Sequence, residues 1–170
     1  MRTHWAINMK YLLDSNVFIE AKDRYYSFDI AEGFWDWLEL FMEEQSFLTI
    51  REVRKELSDS KDLLADWITK FPLNQFVEED TKIQQNMRAI ANYVLNHDTF
   101  SPENKSLFLA KADPWLIATA MTYGYVIVTH EARTGQGSKK VKIPNICEVF
   151  GVAYINVFEL MRNEKVNLRL

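Results

Sequence analysis

Apolar positions run along this chain in two rhythms, short uninterrupted stretches and longer ones that return every three or four residues. Tyr11-Leu12-Leu13 belongs to the first kind, a strand buried on both faces, and Val17-Phe18-Ile19 resumes the apolar pattern as an early helix. Between them stand Asp14, Ser15 and Asn16, so a carboxylate occupies the point where a strand ends in the interior. Phe34, Trp35, Trp37, Leu38 and Phe41 recur at helical spacing, and residues 46–50 read as a second short strand. The stretch REVRKELSDS predicts a helix with Glu52 and Glu56 on one face, LLADWITKF a further helix up to Pro72, and Phe76-Val77 an edge strand. A mostly polar helix over residues 81–96 leads to a connection around Ser101-Pro102.

The segment KADPWLIATAMTYGYVIVTHE is the most distinctive. Asp113-Pro114 predicts a helix start, because an Asp side chain accepts from orphan amides and proline has no N–H to leave unpaired. Leu116, Ile117, Ala120 and Met121 mark its apolar face, Gly124 stops it, and residues 125–129 form an apolar, β-branched run typical of a central parallel strand. Residues 152–155 read as another strand and NVFELMRN as the last helix. Strands alternating with helices predict an α/β fold, a three-layer α/β/α sandwich around a mainly parallel sheet. In such sheets the functional crevice lies beyond the carboxyl ends of the strands. Asp14 and Glu131 both follow strands, and Asp113 opens the helix that feeds one of them.

Composition narrows the class. With 170 residues, 48% apolar, only 5 Gly and 4 Pro, the chain suits one well-filled domain and excludes collagen-like or disordered classes. Met9 directly precedes the first strand, so residues 1–8 read as an N-terminal extension and residues 9–170 as a single domain. A net charge of −4 gives no global attraction to nucleic acid or membrane, so any phosphate binding must be local. The lone Cys147 and three scattered histidines exclude a disulfide and a thiolate zinc site. No apolar run reaches the roughly 18 residues of a membrane span, which points to a cytoplasmic protein with no membrane partner.

Singly, the acids have ordinary explanations: Asp14 as a turn or cap, Asp113 as a cap, Glu56 as a solvated helix charge. Jointly they converge on one rim, where clustered carboxylates repel unless a cation neutralises them, and oxygen-only ligands suit Mg²⁺ or Mn²⁺. The stretch ARTGQGSKKVK then supplies Arg133, Lys139, Lys140 and Lys142 without an acid, a local basic patch for phosphates in an acidic protein.

The stretches YLLDSNVFIE, TIREVRKEL and ADPWLIATAMTYGYVIVTHE resemble, in order and spacing, those of PIN-domain nucleases, which include the VapC-type toxins of toxin–antitoxin pairs. KKVKIPNICEVFGVAYIN is similar to a branch of PIN-like proteins without an assigned biochemical role. The resemblance implies a metal-dependent endoribonuclease that hydrolyses phosphodiester bonds, with RNA as substrate. Asp14, Glu56 and Asp113 match the family's three main acids and Glu131 its fourth, all four catalytic, with Asp14, Asp113 and Glu131 as metal ligands. Glu131 departs from the commoner Asp, and its extra methylene moves the carboxylate outward. Asn16 and Thr129 match positions that orient the acids. An inhibitory antitoxin and a homodimer are further implications, with the aromatic helix from Phe34 to Phe41 as the expected interface. Two rivals stand beside this reading: a PIN-like protein that binds without cutting, and an aspartyl-phosphate phosphatase of the haloacid dehalogenase type. The second wants an acid where the chain has Asn16.

Overall fold

Strands of two or three residues suffice here because the central ones are apolar at every position and lie inside the molecule, where no polar face is needed. The computed structural model describes residues 9–168, and the expected extension over residues 1–8 lies outside them. Strand β1 (Tyr11–Leu13), β2 (Phe47–Leu48), β3 (Val126–Val128) and β4 (Tyr154–Ile155) form one sheet in the order β2-β1-β3-β4. All three pairings are parallel. Val77 adds a single parallel bridge to Ile50, which makes the Phe76-Val77 segment an edge contact.

The helices between the strands are α1 (Ser15–Glu20), continued by a π-helical turn over Ala21–Tyr25, then α2 (Glu32–Glu43), α3 (Arg51–Ser58) and α4 (Leu63–Thr69). Helices α5 (Thr81–Asn96), α6 (Pro102–Ala110), α7 (Asp113–Tyr123), α8 (Ile143–Phe150) and α9 (Val157–Asn163) complete the α/β/α sandwich. Their starts follow local chemistry. The carboxylates of Asp62 and Asp80 accept from the amides of Ala65 and Ile83, and Asn156 with Glu159 forms a reciprocal capping box. Helices α7 and α8 end at Gly124 (φ 70°) and Gly151 (φ 68°), left-handed positions where a side chain would be strained. Among the described residues no helix is long and apolar enough to cross a membrane.

Three expectations need correction. Residues 102–110 are helix α6 rather than part of a connection, with Ser101 accepting from Asn104 as its cap and Pro102 at its first turn. Helix α8 lies in a stretch for which the periodicity gave no element; Pro144 starts it and Gly151 stops it. The aromatic helix α2 is not an exposed interface, since Phe34, Trp35, Leu38, Phe41 and Met42 are buried in the core. Its rings are used internally: Trp35 stacks on Phe28 at 4.0 Å, and Phe34 on Tyr26 at 4.3 Å. Each such buried side chain contributes about 1.5–3 kcal/mol, which an outward-facing helix would forgo.

The sheet order has one consequence for function. The chain moves outward from β1 to β2, returns across β1 to β3, and moves outward again to β4. The reversal therefore lies between β1 and β3, and a crevice opens there beyond the strand ends. Register sharpens this placement. Leu13 pairs with Val128, so the next residues, Asp14 and Thr129, emerge side by side.

Candidate functional site

Asp14 stands at the start of α1 in extended conformation, but its side chain does not cap that helix. It turns toward β3, where the Thr129 hydroxyl donates to Asp14 Oδ2 at 2.9 Å, and Ser15 Oγ makes a long contact with Oδ1 at 3.4 Å. Thr129 Oγ1 in turn accepts from Asn16 Nδ2 at 3.2 Å and from the Glu131 amide at 3.1 Å, while Asn16 Oδ1 accepts from the His130 amide at 3.1 Å. These bonds tie the ends of β1 and β3 together. A second tie runs to β2, where the buried Thr49 hydroxyl donates to the Leu13 carbonyl at 2.7 Å. Asn16 and Thr129 thus hold Asp14 in one orientation, and no periodicity signal in the sequence marked Thr49.

Asp113 is the first residue of α7 rather than its cap, because Ala112 occupies the cap position and no side chain caps there. The amide left over is satisfied from a distance: Glu56 on α3 accepts from the Ala112 N–H at 3.0 Å. Among the described residues no donor reaches the Asp113 carboxylate. Glu131 is engaged through both oxygens, accepting from Lys142 Nζ at 3.1 Å and from the Ile143 amide at 2.8 Å. Its extra methylene therefore reaches the Ile143 N–H at the start of α8, a group without a partner inside the helix, and pins the intervening loop.

The acids feel one another. Burial, followed by the Asp113 carboxylate, pushes Asp14 up to about 7, with the Thr129 hydroxyl opposing and Glu131 adding. Burial, then Glu131 and Glu56, raises Asp113 to about 6, with Lys111 and Lys142 opposing. All four sequence-predicted acids thus share one electrostatic neighbourhood, but they do not form a ready cage. Among the described residues no three His, Cys, Asp or Glu side chains gather closely enough to hold a metal ion between them. Glu131 spends both oxygens and Glu56 one on amide or ammonium donors from other elements, whereas among the described residues the Asp14–Asp113 pair meets no such donor, Asp14 being held by the Thr129 hydroxyl. Mg²⁺ is commonly held by one or two carboxylates with water and phosphate completing its shell, and the pair fits that mode.

The basic stretch is less isolated than its sequence suggests. Arg133 Nε donates to Glu148 at 2.8 Å, and Lys142 pairs with Glu131. Lys139 and Lys140 are exposed, and among the described residues neither side chain has an acidic partner. An open hollow lined by Asn16, Glu20, His130, Glu131, Arg133 and Lys140 lies beside the acids.

Comparison with known proteins fits this architecture. No curated protein matches the sequence. Among solved structures, the crystal structure of VapBC2 from Rickettsia felis bound to a DNA fragment from their promoter is similar over 87% of this chain and 98% of that one, with a TM-score of 0.52 and 16% sequence identity. That likeness is one of fold, and the α/β/α sandwich is PIN-like. The family described as a domain of unknown function, DUF4411, matches residues 11–168, and the chain belongs to that family.

Proposed function

We infer that this protein is a metal-dependent nuclease that hydrolyses phosphodiester bonds, with RNA as its substrate and Asp14 and Asp113 as the centre of its site. One observation carries the reading. Burial raises the pKa of two carboxylates at the topological switch point of a parallel sheet, the Asp113 charge adding to the rise at Asp14 and the Glu131 and Glu56 charges to that at Asp113, and among the described residues no donor reaches Asp113. A divalent cation would relieve that repulsion. Bound there, Mg²⁺ or Mn²⁺ would supply charge neutralisation and Lewis-acid activation for water attack on the phosphodiester.

The chain's own residues do the rest. Asp14 and Asp113 would hold the ion, with Asp14 fixed by the Thr129 hydroxyl and Thr129 by Asn16. Glu56 sets the start of α7 and hence the Asp113 side chain. Glu131 is assigned to the loop rather than to the ion, since both its oxygens have protein donors. Arg133, Lys139 and Lys140 would meet the phosphates. A toxin role, with a small inhibitory protein as partner and a homodimer as the assembly, belongs to the same proposal through the PIN-like fold.

A specific observation favours one second reading: among the described residues no three acids gather closely enough to hold a metal ion, and Glu131 spends both oxygens on protein donors, as in a protein that binds nucleic acid without cutting it. Single-turnover incubation with one structured RNA, in Mg²⁺, in Mn²⁺ and in EDTA, separates the two. Metal-dependent cleavage by wild type that disappears in Asp14→Asn/Asp113→Asn supports the nuclease. Binding without cleavage under every metal condition supports the second reading. The double variant should also be more stable than wild type in EDTA and show no metal-induced rise in Tm; a full rise would sink the proposed site.

A further inference from the structure

A second hollow adjoins the one beside the acids, and Arg133 and Thr134 line both. Its far wall is aromatic. His97, just past the end of α5, stacks on Phe100 with ring centroids 3.9 Å apart and planes at 16°, and Tyr93 meets His97 edge-on at 5.4 Å. All three rings line the hollow and are half-buried. The turn holding the pair is fixed, since His97 Nδ1 accepts from the Thr99 amide at 3.3 Å.

The ridge between the hollows is also fixed. Asn145 on α8 accepts from the Thr134 amide at 2.9 Å and from its hydroxyl at 3.1 Å, and donates to its carbonyl at 2.8 Å. Arg133 is tethered to Glu148 through Nε alone, so among the described residues its two terminal nitrogens have no partner. A guanidinium held this way presents a fork suited to a phosphate. The order in space is therefore Glu131 on the first hollow, an oriented guanidinium on both, and a flat aromatic pair on the second.

We propose that this second hollow is a subsite for one unpaired nucleobase of a single-stranded nucleic acid, stacked on the His97–Phe100 pair, with Arg133 on the phosphate that links it to the acid-lined hollow. The proposal rests on the phosphodiester reading for the direction of the strand, and it names the form of the substrate. Asn145 spends its oxygen and one N–H on Thr134, so the flat surface of this wall is the aromatic pair, which offers stacking. Stacking of this kind tolerates any base.

The test uses the Asp14→Asn/Asp113→Asn protein, in which neither cleavage nor carboxylate repulsion interferes with binding, and a short single-stranded oligonucleotide carrying 2-aminopurine. Stacking quenches that fluorophore, so a strong quench on binding is expected. Adding His97→Ala should weaken binding roughly 5- to 100-fold, the range for loss of one base–aromatic stack, and relieve the quench. Adding Arg133→Gln, a change at an exposed side chain that leaves the core untouched, should weaken binding yet keep the quench of the bound strand. Equal affinity for an oligonucleotide with an abasic site at the probe position would overturn the proposal. So would unchanged affinity in both variants, binding of a free mononucleotide as tight as that of the strand, or no oligonucleotide binding by the folded protein, the result expected if a protein segment fills the hollow. If these binding results hold while wild type fails to cleave in Mg²⁺ or Mn²⁺, the subsite stands and the nuclease reading falls.

Discussion

At the scale of single residues, the four acids divide by what their oxygens touch. Asp14 and Asp113 have folded-state pKa values of about 7 and about 6, both above the ordinary carboxylate value. The metal-free native state therefore binds more protons than the unfolded chain across this interval. The stabilising contribution is complete below the unfolded value near 4 and is lost as pH rises through about 6 and then 7. Denaturation midpoints in EDTA should accordingly fall between pH 5 and pH 8 in wild type, and this fall should flatten in Asp14→Asn/Asp113→Asn; identical slopes would contradict the paired burial of the two groups. Added Mg²⁺ or Mn²⁺ should stabilise more at the upper end of the range, where protons no longer compete. Glu131 is different in kind. Gln at this position still accepts from the Ile143 amide, so Glu131→Gln should lose no more cleavage than the roughly 10- to 100-fold of an outer-shell change, and Asp14→Asn should lose more than that. Equal, complete loss in both folded variants would refute the division.

At the scale of elements, the site depends on how strand ends and helix starts are tied. Thr129 joins β3 to Asp14 while receiving Asn16 and the Glu131 amide, so three bonds meet on one buried hydroxyl. Thr129→Val keeps the shape and removes that hydroxyl. It should cost about 1–3 kcal/mol, the range for leaving buried polar groups unsatisfied, and displace the pH-dependent loss of stability further upward. Urea melts at pH 6 and pH 8 measure both effects, and a neutral outcome would show that the strand tie is not needed. Gly124 tests a different kind of tie. It ends α7 at φ 70°, and an added Cβ would meet nothing within 4 Å, so Gly124→Ala should cost about 1 kcal/mol through backbone conformation alone, with an unchanged m value.

At the scale of the molecule, the charge balance sets how the protein meets a polyanion. The net charge is −4, and the cations near the site are few: Arg133, Lys139 and Lys140 on the basic stretch, Lys111 beside Asp113, and Lys142 occupied by Glu131. Three to four phosphate contacts on a single strand predict a slope of about −2 to −3 in log K against log salt. A slope steeper than about −5, read by titration between low and moderate salt, would mean a basic surface that these residues do not provide. The burial of α2 also bears on assembly: with its aromatic face spent on the core, a homodimer would need another surface, and light scattering across a wide concentration range checks whether one forms.

The layered α/β fold and most of its elements follow from the sequence because they rest on local patterns: uninterrupted apolar triplets, helical spacing, and Gly or Pro at the boundaries. The acids were visible as residues at strand and helix ends for the same reason. Helices α6 and α8 were not, although Ser101-Pro102 and the Pro144…Gly151 pair marked their ends, since their weak or short apolar faces give the periodicity little to work on. The burial of α2 was equally hidden, because an amphipathic aromatic helix reads the same whether it faces a core or a partner. What only the tertiary structure decided was where each polar side chain spends its hydrogen bonds. Glu56 meets Ala112 and Glu131 meets Ile143 across gaps of 56 and 12 residues, and Arg133 finds Glu148 on a helix the pattern did not mark. The sequence determined that carboxylates arrive at one rim of the sheet. Long-range donors determined which of them stay free, because an amide or ammonium brought within 3 Å claims a carboxylate oxygen whatever the local spacing suggests.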